Sequence, residues 1–116
     1  MNPEIEKDLL EKYPQLFRQF EGFSCGNGWA LIIDALCSLL NGDSCPSIKS
    51  IVEKYGIMRC EIEGASDLQM GYVKFAETMS RRTCEECGAP GATRGGEGYW
   101  LTTVCTKHAP VGSEIL

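Results

Sequence analysis

Four residues near the end of the chain have the types and the spacing of a tetrahedral metal site. Cys84 and Cys87 form one pair, and Cys105 and His108 form a second pair after seventeen intervening residues. A gap of two residues lets both side chains of a pair face one ion, and Gly88 supplies the permissive backbone that a tight knuckle needs after its second ligand. The spacing therefore predicts a zinc ion bound by these four side chains.

The expected zinc is structural. Catalytic zinc sites usually combine three protein ligands with an open position, whereas this set already fills four positions. A structural ion would hold a small ribbon whose apolar area is too small to fold alone. A redox role for Cys84 and Cys87 is the weaker alternative, because the pair lacks the strand–helix context of redox motifs and a second Cys/His pair follows it.

The other patterns favour a binding protein over an enzyme. His108 is the only histidine, and the metal already uses it, so a nucleophile activated by histidine is not expected. A zinc deaminase would place its His-x-Glu element before a Pro-Cys-x-x-Cys element, but here the histidine comes last. Gly26 and Gly28 lack the spacing of a phosphate-binding loop, and no lysine follows them. No catalytic residue is predicted.

Cys25 stands close to the start of a predicted helix, where the helix dipole can lower the pKa of a thiol. The sequence offers no base to pair with it. A semi-buried cysteine in a tight turn is therefore the favoured interpretation, and a reactive thiol is the alternative.

Two further pairs are candidate binding residues. Glu61 and Glu63 fall on one side of a predicted strand, where paired-carboxylate catalysis is one interpretation and a solvated outer face is the commoner one. Together with Asp67 they form an acidic edge that could dock a protein or repel misplaced strands. Arg94 and Trp100 could stack on the bases of a single strand or anchor a protein interface. The favoured alternative is that Tyr99 or Trp100 packs the ribbon against the helical part.

The composition and the charge of the chain limit the partners and the cellular compartment that we expect for it. The chain has 116 residues, 43% of them hydrophobic, and a net charge of −5 with a pI near 4.8, which opposes loose attachment to nucleic acid. Its longest apolar stretches are far shorter than a membrane span, and its first residues do not have the pattern of a signal peptide. With seven cysteines, an odd number, we expect metal ligation and free thiols in a cytoplasmic protein.

Hydrophobic periodicity predicts a helical body. A first helix begins at Pro3 with Asn2 as its cap, and a short second helix follows Pro14. A core helix capped by Asn27 carries Trp29 through Leu40 on its apolar face, and a further helix runs from Pro46 to Gly56. The apolar residues on these two faces are Trp29, Ile32, Ile33, Leu36, Leu39 and Leu40, and then Ile48, Ile51, Val52 and Tyr55.

The second half of the chain predicts one strand, one helix and the ribbon. Ile57–Glu63 approaches strict alternation, and Ser66 with Gln69 forms a capping-box pattern for a helix that continues to about Arg82. Residues 92–94 and 99–104 are the expected arms of the ribbon, joined by a glycine-rich turn at 95–98. The expected fold is α+β, with a mainly helical body (1–82), a zinc ribbon packed on it (83–110) and a loose tail (111–116).

Several segments together resemble a group of small phage and prophage-associated proteins. They are residues 12–17, 23–29 followed by 33–37, 52–56, 76–80 and 83–91. Relatives tend to carry a Phe-Gly-x-Leu-Arg-Phe strand where this chain has Tyr55-Gly-Ile-Met-Arg-Cys60, and the zinc ligands are unaffected by this difference. The resemblance implies a setting in a phage-infected host and no particular mechanism.

The zinc-binding pattern, the acidic net charge and the resemblance to phage-associated proteins together lead to one expected function. The protein is expected to be a phage-type accessory protein that binds a host protein, for instance one with a basic surface in a defence or regulatory complex. The alternative is a small transcriptional regulator that binds nucleic acid through Arg81, Arg82, Arg94 and Trp100. The sequence does not predict an oligomeric state.

Overall fold

The computed structural model describes residues 1–116 and confirms the α+β class. Three α-helices accompany two three-stranded sheets. The helices are α1 (Pro3–Lys12), α2 (Ala30–Leu40) and α3 (Asp67–Ser80). The strands are β1 (Gly22–Ser24), β2 (Ser47–Lys54), β3 (Ile57–Glu63), β4 (Ala92–Gly95), β5 (Thr102–Val104) and β6 (Glu114–Ile115). No helix has the length and apolar character that crossing a membrane requires.

The first sheet has the order β1-β2-β3, and its central strand corrects a prediction. The segment from Pro46 to Gly56, which was expected to be a helix, forms β2, parallel to β1 and antiparallel to β3. A break in the β2–β3 register lies between Ile48 and Ser50. Such an irregularity lets Ile48 and Ile51 both face the core, and both are fully buried. The two buried residues are three positions apart, which is also the spacing of residues on one face of a helix, and this explains the wrong prediction.

Helix α3 covers the outer edge of β3. The Met58 N–H donates to the Ser80 hydroxyl, and the Cys60 N–H donates to the Glu77 carboxylate, both at 2.9 Å. These contacts satisfy edge donors that would otherwise invite another strand. The helix begins with the predicted capping box between Ser66 and Gln69, so both β3 and α3 are confirmed.

Two expectations about the first helices are wrong. The residues after Pro14 form turns rather than a helix, because the Leu16 carbonyl accepts a hydrogen bond from the Ile48 N–H and the segment thereby follows β2. Asn27 does not cap α2, since its side chain instead accepts a 2.6 Å hydrogen bond from the Asn2 N–H. A 3₁₀ turn over Asn27–Trp29 leads into α2.

One hydrophobic core joins the helices to the first sheet. Trp29, Leu16, Ile33, Ile51 and Met58 have no exposed surface within it. The expected side of α2 only partly enters this core, because Leu36 and Leu40 are buried but Leu39 is 58% exposed.

The second sheet has the order β5-β4-β6 and contains the expected pair of ribbon arms. The second arm is shorter than predicted, because residues 99–101 belong to the turn. The loose tail is also a wrong expectation, since Glu114–Ile115 pairs with Arg94 and Gly95 of β4. Hydrogen bonding to the otherwise free edge of β4 orders these last residues.

Candidate metal centre

The fold brings the four residues of the two Cys/His pairs together. Their ligand atoms all lie within 4.8 Å of one another. The sulfurs of Cys87 and Cys105 are 3.8 Å apart, and His108 Nδ1 is 3.7 Å from the Cys84 sulfur and 3.2 Å from the Cys105 sulfur. Four soft donors at these separations can hold one metal ion. We call this group the Cys/His cluster.

The backbone around each pair closes into a tight knuckle. In the first knuckle (83–90), the Gly88 N–H donates to the Cys84 carbonyl at 2.8 Å, and the φ angle of Gly88 is +81°. The turn thus uses the left-handed conformation that glycine adopts without steric cost. In the second knuckle (105–108), the His108 N–H donates to the Cys105 carbonyl at 3.1 Å. Each pair is therefore positioned by its own main chain.

The first knuckle sits directly on the turn that precedes α2. The Gly28 N–H donates to the Glu85 carbonyl at 2.7 Å, and the Gly26 N–H donates to the Glu85 carboxylate at 2.9 Å. A Cβ atom on Gly28 would lie 2.0 Å from the Cys84 carbonyl oxygen, which is far inside van der Waals contact. Gly26 and Gly28 therefore form the surface on which the first knuckle packs, and we call this surface its seat. This role was not predicted from the sequence. The Gly-x-Gly pattern before Trp29 could have indicated it, because glycine allows two backbone segments to approach closely.

Two more contacts fix the first knuckle and the second sheet to the rest of the chain. The indole N–H of the buried Trp29 donates to the Thr83 carbonyl at 2.9 Å. The hydroxyl of the buried Thr103 donates to the Gly56 carbonyl at 2.6 Å and lies 2.8 Å from the Thr93 hydroxyl. Because both contacts involve buried polar groups, breaking either would leave a partner unsatisfied.

The electrostatics of the Cys/His cluster favour a bound cation. Burial opposes ionisation of Cys84 and Cys105, but backbone N–H groups of the knuckles outweigh it and hold the pKa of both thiols below the ordinary value. The Ala89 N–H lowers the pKa of Cys87, yet burial and the adjacent sulfurs raise it above the ordinary value overall. Three clustered thiolates repel one another, so a cation is needed before all three can be ionised.

Cys25 and Cys60, both buried outside the cluster, lack the environment of a reactive cysteine. Burial, with a smaller contribution from Glu85, raises the pKa of Cys25 to about 12. Burial likewise raises the pKa of Cys60 to about 12. A thiol with such a pKa is almost entirely protonated at neutral pH. These values agree with the interpretation of Cys25 as a buried turn residue.

Neither aromatic ring of the ribbon packs against the helical part, which corrects the favoured interpretation of Tyr99 and Trp100. Trp100 is 92% exposed, and the Tyr99 hydroxyl contacts the Val111 carbonyl. Arg94 is half-buried on β4, and its Nε is buried without a hydrogen-bond partner. The buried residues of the second arm are Thr103 and Val104 instead. The exposed Trp100 therefore remains free to contact another molecule.

Glu61 and Glu63 lie on the exposed side of β3, as expected, but the same side also carries Arg59. Glu63 makes a 3.9 Å ion pair with Lys49, and the Ser50 hydroxyl donates to Glu61 at 3.4 Å. The edge is therefore mixed in charge. Both carboxylates are solvated and distant in sequence from the Cys/His cluster, and no contact joins them to it.

Comparisons with known proteins do not indicate a relative of this chain. The chain matches no protein-family model, no curated protein and no solved structure.

Proposed function

We propose that the protein is a zinc-stabilised, phage-type accessory protein that acts by binding a host protein. Zinc suits the Cys/His cluster because three thiolates and an imidazole are preferred zinc donors. Two sulfurs bound tetrahedrally at 2.3 Å from zinc would stand about 3.8 Å apart, and Cys87 and Cys105 have this separation. With four protein donors, the ion stabilises the two knuckles and offers no open position for catalysis.

The observation that carries protein binding is an uncovered apolar groove between α2 and α3. A cavity of about 240 Å³ lies between the helices and is lined only by hydrophobic residues. Leu31 is 78% exposed, Phe75 is 68% exposed and Leu39 is 58% exposed. At about 200 Å² for a large apolar residue, these three alone expose roughly 400 Å². The largest apolar patch of a monomeric protein commonly has about this size and is often functional, so the groove is the natural place for a partner to bind.

The surroundings of the groove favour a partner with basic residues around an apolar contact. Leu31 lines both this groove and the neighbouring crevice between α1 and α2, where Asp8 and Asp34 also lie. Asp34 is paired with Lys12, whereas Asp8 makes no ion pair. Within α1, four acids face two lysines. Opposite potentials would accelerate the encounter with a basic host protein, and the apolar groove would supply the affinity.

The host setting comes from the resemblance to phage and prophage-associated proteins. An accessory protein in that setting acts on a host defence or regulatory complex, and binding is sufficient to inhibit such a complex. The fold supports this mode of action because the metal stabilises a scaffold while an apolar face remains free. Inhibition then requires only that this protein covers a surface of the host complex, and no chemical reaction is needed.

The proposal is tested by affinity capture from a bacterial host lysate in the presence of zinc, followed by binding measurements with each purified candidate. Leu31→Glu and Phe75→Glu place a charge in the groove, so we expect them to abolish capture of a partner that the unaltered protein retains. Val111→Glu is the matched control, because Val111 is 95% exposed and lies outside the groove.

Two results would contradict the proposal. One is a set of captured proteins that is identical for the groove variants, the control and the unaltered chain. The other is a stable homodimer, measured by light scattering, that both groove variants convert to monomer, since a second copy would then occupy the groove.

A further inference from the structure

A band of cationic side chains crosses the surface beside α3, away from the apolar groove. Arg59, Lys74 and Arg81 line one crevice of about 220 Å³ between α3 and β3. Arg81 continues into a second crevice with Arg82, and Arg59 continues into a third with Lys54. Shared residues thus connect the three crevices. We call these five side chains the cationic band.

The band is free to bind an external anion. None of its five members makes an ion pair or a side-chain hydrogen bond within the chain, whereas Lys7, Lys12 and Lys49 are all paired. Two carboxylates also line the crevices, and one of them, Glu77, already accepts the Cys60 N–H. The five cations and two carboxylates give these crevices a local charge of +3 in a chain of net charge −5, so this side attracts an anion although the chain as a whole repels one.

An exposed aromatic ring stands at one end of the band. Tyr55 directly follows Lys54 at the tip of the β2–β3 hairpin and is 73% exposed. Its φ angle of +56° is the only positive value outside glycine. Tyr55 and Gly56 are the two loop residues between the paired Lys54 and Ile57, and a two-residue hairpin turn of this kind requires positive φ angles at both positions.

The tip that presents Tyr55 is braced from both sides. The Gly56 N–H donates to the Glu53 carboxylate at 2.7 Å, and the Gly56 carbonyl accepts the Thr103 hydroxyl of the second sheet at 2.6 Å. A ring held by a rigid turn loses little conformational entropy when it stacks on a ligand. A single strand of nucleic acid carries phosphates, which cationic side chains bind, and bases, which stack on aromatic rings. Cationic side chains beside an exposed ring match both requirements.

We propose that the cationic band and Tyr55 form a binding surface for a short single strand of nucleic acid. The phosphates contact side chains of the cationic band, and one base stacks on the Tyr55 ring. A single strand offers both phosphates and unpaired bases that can stack on an exposed ring, whereas a duplex keeps its bases paired and stacked on one another. The surface is distinct from the apolar groove, so the inference goes beyond the proposed function and can fail independently of it.

The test is fluorescence anisotropy of a labelled oligothymidine of about 15 nucleotides, a length that covers a typical single-strand site, with the zinc-loaded full chain across a range of salt concentrations. Each phosphate contact contributes about 0.7 to the slope of log affinity against log salt. Lys74→Ala should therefore reduce affinity and lower this slope by about 0.7. Lys7→Ala removes the same charge from α1, outside the band, and should change neither.

The stacking contact is tested by Tyr55→Asn. Asparagine tolerates a positive φ angle, so this variant keeps the hairpin while removing the ring. We expect about a 5- to 100-fold loss of affinity for the oligothymidine, the usual effect of losing one stacked base. Tyr55→Trp should retain binding, because the indole offers a larger stacking face.

Three outcomes would overturn the inference. The first is the absence of an anisotropy change at low salt. The second is equally tight binding of a duplex together with no effect of Tyr55→Asn. The third is displacement of the oligothymidine by polyglutamate at an equal charge concentration, which would mean that the band binds acidic protein segments instead.

Discussion

The indole Nε1 of Trp29 donates a hydrogen bond to the Thr83 carbonyl at 2.9 Å, across 54 positions of the chain. Trp29 is completely buried at the start of α2, and Thr83 immediately precedes the first cysteine of the Cys/His cluster. The largest side chain of the core thus positions the first knuckle. This contact links the packing of the helical part to the geometry of the candidate metal centre.

Trp29→Phe should destabilise the protein by about 1–3 kcal/mol. The change keeps an aromatic ring but leaves the partly buried Thr83 carbonyl without its donor and removes part of a fully buried side chain. Urea denaturation of the zinc-loaded protein measures the effect. Trp100→Phe is the control, and because Trp100 is 92% exposed, its effect should stay within about 0.5 kcal/mol. Equal stability of Trp29→Phe and the unaltered protein would mean that the hydrogen bond is not energetically significant.

Gly28→Ala should disrupt the seat of the first knuckle. The new Cβ would lie 2.0 Å from the Cys84 carbonyl oxygen, so the two backbone segments must separate, at a cost of about 3 kcal/mol or more. Gly71→Ala provides the matched control. Nothing lies within 4 Å of a Cβ on Gly71, and alanine within α3 should stabilise by about 0.5–1 kcal/mol. Thermal unfolding and zinc affinity of both variants check the prediction, and a tolerated Gly28→Ala would contradict it.

Removal of one cysteine of the Cys/His cluster should release the metal. We expect one zinc ion per chain in the purified protein by atomic absorption, and none in Cys87→Ser, because three remaining donors bind zinc much more weakly. Hydrogen exchange should then increase in residues 83–110. Cys45→Ser, which changes a half-buried cysteine outside the cluster, should retain the ion. A metal-free protein with a Cys84–Cys87 disulfide would instead support the redox alternative.

Asp34 should contribute stability above its ordinary pKa of 3.8 and lose that contribution in acid. Hydrogen bonds from Lys12 and Tyr13 lower the pKa of Asp34 in the folded state. A carboxyl group with a lowered folded pKa stabilises the protein fully above the unfolded value, and the contribution declines as the pH falls toward the folded value. The difference in unfolding free energy between the unaltered protein and Asp34→Asn should be about 1 kcal/mol near neutral pH, because solvent screens this partly exposed group. It should shrink below about pH 4, and a pH-independent difference would exclude this linkage.

Charge reversal on β3 should have opposite effects on the two proposed ligands. Glu61→Lys with Glu63→Lys removes acids that would attract a basic host protein, and Glu61 also lines a crevice of the cationic band. We expect weaker partner binding and tighter oligothymidine binding, whereas Asp43→Lys, in the loop after α2, should affect both much less. Calorimetry and anisotropy measure the two affinities. Unchanged affinity for the isolated partner would mean that these glutamates, which lie outside the apolar groove, do not attract the partner.

Patterns that depend on local physical chemistry were predictable from the sequence. The two Cys/His pairs, the capping box of α3 and the alternation of β3 each arise from residues that interact with near neighbours in the chain. Their chemistry is specific, because soft donors two residues apart favour a shared metal ion and a reciprocal Ser–Gln cap favours a helix start. The α+β class followed from these elements.

Tertiary pairing decided what local patterns left ambiguous. Ile48 and Ile51 have the spacing of a helix, yet the irregular register opposite Ile62 and Glu61 makes them inward residues of a strand. Asn27 has the chemistry of a helix cap, but the distant Asn2 N–H uses its side chain. No feature within either segment distinguishes these outcomes, because the competing partners lie elsewhere in the chain.

The sequence by itself determined which four side chains can bind a metal, since donor type and short-range spacing are properties of the chain. Only the tertiary structure decided what supports them: Gly28 beneath the Cys84 carbonyl, Trp29 donating to Thr83, and Thr103 donating to Gly56. It also decided which surfaces remain free, namely the apolar groove and the cationic band with Tyr55. Burial and exposure are consequences of how all elements pack together, and they cannot be assigned to any residue before its neighbours are in place.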